Sequence, residues 1–177
     1  MENIEYRQLT ASDFAAGALD GFVRTQQVHW CWRWRQGRLV LEEHPFVDDW
    51  KEEQRRLVER LGREAAGRGW AYGAFCQGEL AGFALLDCRP RGSSGQYREL
   101  HMLHVSQPYR RLGIGSRLFC MACQGARQAG GQKLYLSAHS ARETQAFYRR
   151  LGCVEAQEPQ PDLVAEEPFG IQMEYVL

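Results

Sequence analysis

The stretch YRRLGIGSRLF, residues 109–119, sets two arginines and then two glycines at a point where a strand pattern passes into a helix pattern. A glycine inside a helix costs about 1 kcal/mol relative to alanine. Two of them in an opening turn mark a place where something must come close to the backbone. A helix N-terminus carries unpaired N–H groups and the positive end of the helix dipole, so it attracts anions. Glycines let a phosphate reach those groups. Arg110, Gly113 and Gly115 therefore read as an anion-binding turn.

Two familiar phosphate loops do not fit. A P-loop requires lysine directly after its last glycine, and Ser116 follows Gly115 here. A dinucleotide fingerprint requires a third glycine where Leu118 stands, and it follows the first strand of a parallel unit. What remains is Arg-x-x-Gly-x-Gly.

The surrounding elements must hold that turn. Residues 96–106, QYRELHMLHVS, predict a long strand that Pro108 ends, and a helix follows over 111–129, stopped by Gly130-Gly131. KLYLSA (133–138) predicts the next strand, so strand, helix and strand form a right-handed parallel crossover. Upstream, the apolar runs WAYGAFC and LAGFALLDC predict a hairpin, and IEYRQL (4–9) alternates like a strand. Thr10 to Asp13 reads as a helix start, with Phe14, Leu19, Phe22 and Val23 near helical spacing. A further helix is predicted from about 48 to 66, started by Asp49 and Glu52, with Trp50, Leu57, Leu61 and Ala65 on one stripe. Residues 28–41 give no clear pattern. Ser140 and Glu143 fit a capping box for a helix reaching Leu151. Strands near 153–157 and over GIQMEYVL follow, with acidic, proline-containing QEPQPDLVAEEP between them. The fold class is thus α/β (α+β): a single mixed, mostly antiparallel sheet flanked by helices, in one domain over 1–177.

The totals narrow the function classes. The 177 residues carry zero formal net charge, which argues against a nucleic-acid or membrane-surface partner. No apolar run reaches the ~20 residues of a membrane helix, and MENIEYRQLT lacks the features of a signal peptide. Cys120 and Cys123 form a C-x-x-C inside a predicted helix, with no second pair at metal spacing, so no metal site is expected. The cysteines otherwise sit in apolar runs, which suits a cytoplasmic location.

The chain resembles the GNAT superfamily of N-acetyltransferases. LHMLHVSQPYRRLGIG resembles that family's acetyl-CoA loop, and SARETQAFYRRLGC (140–153) resembles its F-Y-x-x-L-G-F segment, with Cys153 replacing the usual aromatic. The order of elements agrees over roughly 4–177. The resemblance implies a GNAT-like fold with a splayed central parallel strand pair. It implies acetyl-CoA as cosubstrate, its diphosphate held by the backbone of Arg111, Leu112, Gly113, Ile114, Gly115 and Ser116 with Arg110 at the head. The pantetheine arm is expected against Leu103, His104 and Val105, where an N–H also suits an oxyanion.

An amine with pKa about 10.4 is neutral in only about one molecule in a few thousand at pH 7, so a base is useful. In the family it stands eleven or nine residues before the motif, which implies Glu99 or His101, directly or through water. These two share one strand face, and His104 takes the other and packs. Tyr148 holds the family's position for the acid that protonates the thiolate, and Ser140 stands where a CoA-contacting polar residue or a helix cap would. No covalent intermediate is needed, so no cysteine is required as nucleophile.

The acceptor is less legible. Trp30, Trp32 and Trp34 either wall a pocket or anchor their segment, and we read them as anchors. Acidic Asp48, Asp49, Glu52, Glu155, Glu158, Glu166 and Glu167 would draw a cation but also suit a solvated surface. The first expectation is a small-molecule primary amine, such as a polyamine, amino acid or amine antibiotic. A protein lysine or N-terminus is the second, and a catalytically silent CoA-binding module is the third. The resemblance also leaves room for a homodimer through the final strand.

Overall fold

The computed structural model describes residues 3–177. The chain runs β1 (Ile4–Gln8), a 3-10 turn (Ala11–Phe14), β2 (Gln26–Arg35), β3 (Arg38–Asp48), α1 (Glu52–Gly67), β4 (Ala71–Cys76), β5 (Glu79–Arg91), β6 (Tyr97–Val105), a 3-10 turn (Gln107–Tyr109), α2 (Ile114–Gln128), β7 (Lys133–Ala138), α3 (Arg142–Arg150), β8 (Val154–Glu155), α4 (Pro161–Glu166) and β9 (Ile171–Val176). The main sheet has seven strands in the order β1-β4-β5-β6-β7-β9-β8, and β2 and β3 form a separate hairpin. Among the described residues, only β6 and β7 run parallel in the main sheet; α2 supplies their crossover. The expected mixed, mostly antiparallel sheet is what forms.

The continuous apolar runs of β4 and β5 follow from coverage on both faces. Tyr72, Ala74, Cys76, Ala84 and Leu86 turn to one face, where Ile114, Leu118, Phe119, Ala122 and Ala126 of α2 meet them. Ala71, Phe83 and Leu85 turn to the other, against Phe14, Leu19, Phe22 and Val58. The period of two along each strand meets helical spacing along each helix.

Several boundaries depart from expectation. The 10–23 stretch is not a regular helix: after the 3-10 turn at Ala11–Phe14 the chain proceeds through turns, with Gly17 at φ +87°. Phe14, Leu19 and Phe22 are nevertheless buried. Glu59 takes over the role that helical bonds would have filled. Its carboxylate, 1% exposed, accepts from the N–H groups of Gly17 and Leu19, each at 3.1 Å, and from Arg56 at 2.7 Å. α1 begins at Glu52 rather than 48, because Lys51 is the N-cap and its N–H donates to Gln54 at 2.7 Å. The 28–41 stretch and the residues after it are β2 and β3, joined by Gln36-Gly37, both at positive φ. The acidic 157–168 stretch holds the short α4, which the sequence reading did not anticipate.

Removing the Glu59 carboxylate leaves the buried Leu19 N–H and the half-buried Gly17 N–H without their acceptor, and leaves Arg56 with Asp20 alone. Glu59→Ala is expected to cost about 3 kcal/mol and to lower Tm by roughly 6–12 °C. Thermal unfolding followed by circular dichroism measures it, and Glu59→Gln should recover part of the loss.

Candidate active site

β6 and β7 pair over only three residues, Tyr97↔Lys133 to Glu99↔Tyr135. β7 continues to Ala138 beside β9, and β6 continues to Val105 beside β5. The two parallel strands therefore part beyond Glu99. The register between β5 and β6 shows where. Leu86 faces Leu100 but Leu85 faces Met102, so His101 is the extra residue of a β-bulge. A bulge adds local twist and re-aims its side chain. A cleft of about 1540 Å³ opens at the parting, lined by both strands, the N-terminus of α2, α3 and the β2–β3 hairpin.

His101 faces this cleft with Glu99 behind it. Its Nδ1 lies 2.9 Å from Glu99 Oε1, and the two side chains are 33% and 5% exposed, respectively. Only His101 of the pair lines the cleft. The hydrogen bond to Glu99 raises its pKa above the ordinary 6.5, against burial, which lowers it. His104 also borders the cleft, but its ring is packed and desolvated. It packs edge-on to Trp50 and Phe83, at 4.9 and 5.6 Å between ring centroids. Burial first, then the Arg24 and Arg110 cations, push it down to about 3, so it stays neutral. Tyr148, on α3, lines the cleft while 8% exposed, and burial pushes its phenol up.

At the other end of the cleft, the turn before α2 places Arg111 at φ +65° and Gly113 at φ +81°. Gly113 is the N-cap, and no side chain caps the helix or places an acid in its first turn. The first N–H groups of α2 are thus left for an outside acceptor, which fits a diphosphate. Gly115 has a second reason to be glycine: a Cβ there would stand 3.1 Å from the Phe147 ring. The helix begins at Ile114, not 111. On the β7 side, β6 from Leu100 to Val105 has no strand partner among the described residues, which fits an extended chain lying along it.

Arg110 is a clamp. Its guanidinium donates to the carbonyls of Val105 (3.1 Å), Thr25 (2.8 Å) and Arg24 (3.0 Å). Next to it the Val23 N–H donates to Ser106 Oγ, and the Gln107 N–H to the Val23 carbonyl. The head of the motif thus fastens residues 23–25 to the end of β6.

Ser140 does not cap α3. Ala141 is the N-cap, without a side-chain cap bond, and Glu143 pairs with Arg142 instead. Ser140 Oγ accepts from Arg33 at 2.5 Å and its carbonyl from the Trp32 N–H at 2.8 Å. With the Cys31–Ala141 bridge, these bonds pin β2 to the loop after β7. The hairpin so held contributes Arg33, His44, Phe46 and Asp48 to the cleft. Trp30, Trp32 and Trp34 do not line it: Trp32 packs against the core and Trp34 is exposed. Trp50 does line it. The Arg35-Gln36-Gly37-Arg38 turn was the signal for this hairpin, since a two-residue Gly-containing turn between β-rich runs predicts one. Glu167 and Phe169, before β9, close the rim, and Phe169 lies 4.8 Å from the Arg33 guanidinium.

The sequence profile of the Acetyltransferase (GNAT) family matches residues 27–153. The chain belongs to that family and is an acetyltransferase that uses acetyl-CoA as its cosubstrate. No curated protein sequence matches it significantly. Among solved structures it is similar to a nourseothricin acetyltransferase, with TM-score 0.71 and 17% identity over 98% of each chain. It is equally similar to a putative streptothricin acetyltransferase from Bacillus anthracis in complex with acetyl coenzyme A, with TM-score 0.71 and 19% identity over 99% of each chain. The PaiA N-acetyltransferase from Thermoplasma acidophilum, in complex with coenzyme A, follows with TM-score 0.59 and 16% identity over 99% of each chain. These likenesses establish the fold. No helix among the described residues is long and apolar enough to cross a membrane, and they contain no cluster of metal-ligating side chains.

The clamp predicts the behaviour of Arg110 variants. Arg110→Ala should destabilise the protein by about 3 kcal/mol through three lost carbonyl partners. Arg110→Lys should restore only part, because an ammonium cannot reproduce the planar fork. Chemical denaturation of both variants checks this.

Proposed function

We propose that the chain, as one catalytic unit over residues 1–177, transfers the acetyl group of acetyl-CoA directly to a primary amine of a small molecule within a ternary complex. The observation that carries this reading is the His101–Glu99 pair at the β6 bulge. An imidazole faces the cleft there, backed by a buried carboxylate, on the strand that leads to the α2 N-terminus.

The roles follow from chemistry. A carboxylate oxygen accepts, so Glu99 fixes the proton of His101 on Nδ1 and leaves Nε2 with a lone pair. That nitrogen removes the proton of the incoming ammonium, directly or through water. Glu99 acts through His101 instead of meeting the amine itself. Bound acetyl-CoA supplies the activated acyl carbon and a thiolate leaving group. The main-chain N–H groups from Arg111 to Ser116 would hold its diphosphate, and the open side of β6 at Leu103, His104 and Val105 its pantetheine arm. Tyr148, protonated throughout the neutral range, serves as the acid for the thiolate. Ser140, held by Arg33, shapes the wall. We place the enzyme in the cytoplasm, in keeping with its free cysteines.

Two features favour a small acceptor over a protein chain. The β2–β3 hairpin overhangs the cleft, and Arg33 meets Phe169 across its rim. Glu167, at the same rim, suits a cationic amine, and its carboxyl is pushed up by burial and then by Asp48. The panel that tests this contains polyamines, amino acids, amine antibiotics such as nourseothricin and streptothricin, and lysine peptides. Thiol release from acetyl-CoA with a small amine supports the reading. Release with peptides alone favours protein acetylation, and CoA binding without release on any member favours a silent module.

Three variants test the roles. His101→Ala and Tyr148→Phe should each lower kcat by about 100-fold while CoA affinity, read by calorimetry, stays near wild type. The base must be neutral to act, so kcat/KM should rise with pH through the elevated His101 pKa. In Glu99→Gln that rise should move down toward about 6.5, with a lower plateau. An unmoved limb refutes the pairing.

A further inference from the structure

We infer that Arg91, at the end of β5, is a positioning residue for the reaction: it grips Glu99 from the side away from His101 and ties that carboxylate to α4. This rests on the reading of His101 as the base.

One carboxylate is held at both oxygens. Glu99 Oε1 takes His101 Nδ1 at 2.9 Å, and Oε2 lies 3.2 Å from Arg91 Nε. Neither Oε2 nor Nε has an aligned hydrogen-bond partner, though both are buried, so charge holds them together. The same guanidinium reaches Asp162 Oδ2 on α4 at 2.6 Å and lies 4.0 Å from Asp87 Oδ2. The backbone is irregular to make this contact. Asp87 faces Glu99 and Arg91 faces Tyr97, so β5 uses four steps where β6 uses two. The extra length contains Pro90 and carries Arg91 back over Glu99. Arg91 is 14% exposed and Glu99 5%, so water screens the pair weakly.

The other charged and titratable groups around the pair are Asp87 and Arg89 of β5, Tyr135 of β7, Asp162 and Glu166 of α4, and Glu167 beyond it. Most are acids. Arg91 is the cation that offsets them next to Glu99, and it limits how strongly Glu99 holds the His101 proton. Without it, the carboxylate would have His101 as its nearest counter-charge, and the base would release its proton less readily.

Proton NMR titration of His101 in the unliganded, full-length protein tests this without reference to turnover. Arg91→Gln should raise the His101 midpoint by roughly one unit, about tenfold in proton affinity. Arg91→Lys should keep it near wild type. Asp162→Asn, at an exposed surface position, frees Arg91 for Glu99 and should shift it slightly downward. An unmoved midpoint in folded Arg91→Gln overturns the inference, as does the same direction of shift in Arg91→Gln and Asp162→Asn. Should circular dichroism show Arg91→Gln unfolded, the Asp162→Asn midpoint decides: a fall supports the inference, and no change or a rise overturns it. The acid limb of kcat/KM should follow the midpoint. A midpoint that moves while the limb stays refutes His101 as the base, yet leaves the Arg91–Glu99 coupling standing.

Discussion

Everything at this site depends on two neighbouring parallel strands ceasing to pair. A strand interior demands partners for its N–H and C=O groups. β6 has them on both sides only from Tyr97 to Glu99. The ladder to β7 ends at Glu99, and at His101 one residue too many enters the strand against β5. The bulge lies just past the end of that ladder and presents an imidazole at the start of the open backbone edge. The rest of the fold prevents the edge from collapsing. β5 stays registered with β6 up to Val105, and Ala81 accepts from the Ser106 N–H beyond it. β9 and the pinned hairpin hold the β7 side.

The charges in the cleft are largely committed already. Arg110 is taken by three carbonyls. Arg24 pairs with Asp48 at 2.8 Å and Arg35 with Glu42 at 2.7 Å. Arg33 holds Ser140, and His104 is neutral. In the proposed reading, a diphosphate would therefore meet main-chain N–H groups rather than these arginines. Main-chain donors at a helix start are fixed by the helix itself and need no side-chain ordering. Gly113 at positive φ and the uncapped first turn of α2 would suit that use.

Local patterns in the sequence made much of this legible. The turn from Arg110 to Gly115 and the crossover through α2 could be read because glycine spacing and strand–helix alternation are short-range signals. Glu99 and His101 were implied by the family resemblance, eleven and nine residues before that turn, and they do meet. Their division of labour was not readable, because it depends on the bulge, and a bulge is a matter of register between strands. Ser140 and Glu143 had the spacing of a capping box, but Arg33, distant in sequence, claimed the serine. The helix expected after Thr10 failed for a related reason: Glu59 satisfies the N–H groups of Gly17 and Leu19 from another element. Tertiary partners override local propensity wherever they supply the hydrogen bond first.

The geometry also favours the imidazole over the carboxylate as the group that would meet the amine in the proposed reaction. Glu99 has one oxygen toward His101 and the other toward Arg91, and only 5% of its side chain is exposed. A base must offer a free lone pair at the place where the acceptor stands. Glu99 has neither the exposure nor the uncommitted oxygen. His101 has both requirements because the bulge lifts it into the cleft while Nδ1 remains tethered. The tether sets the ring's orientation and raises its proton affinity above that of a free imidazole, toward that of the amine it would deprotonate in the proposed reaction. A carboxylate on a regular strand at the same position would share the face but not the reach, so in the proposed mechanism the extra residue at 101 is what would turn a structural ion pair into a reactive one.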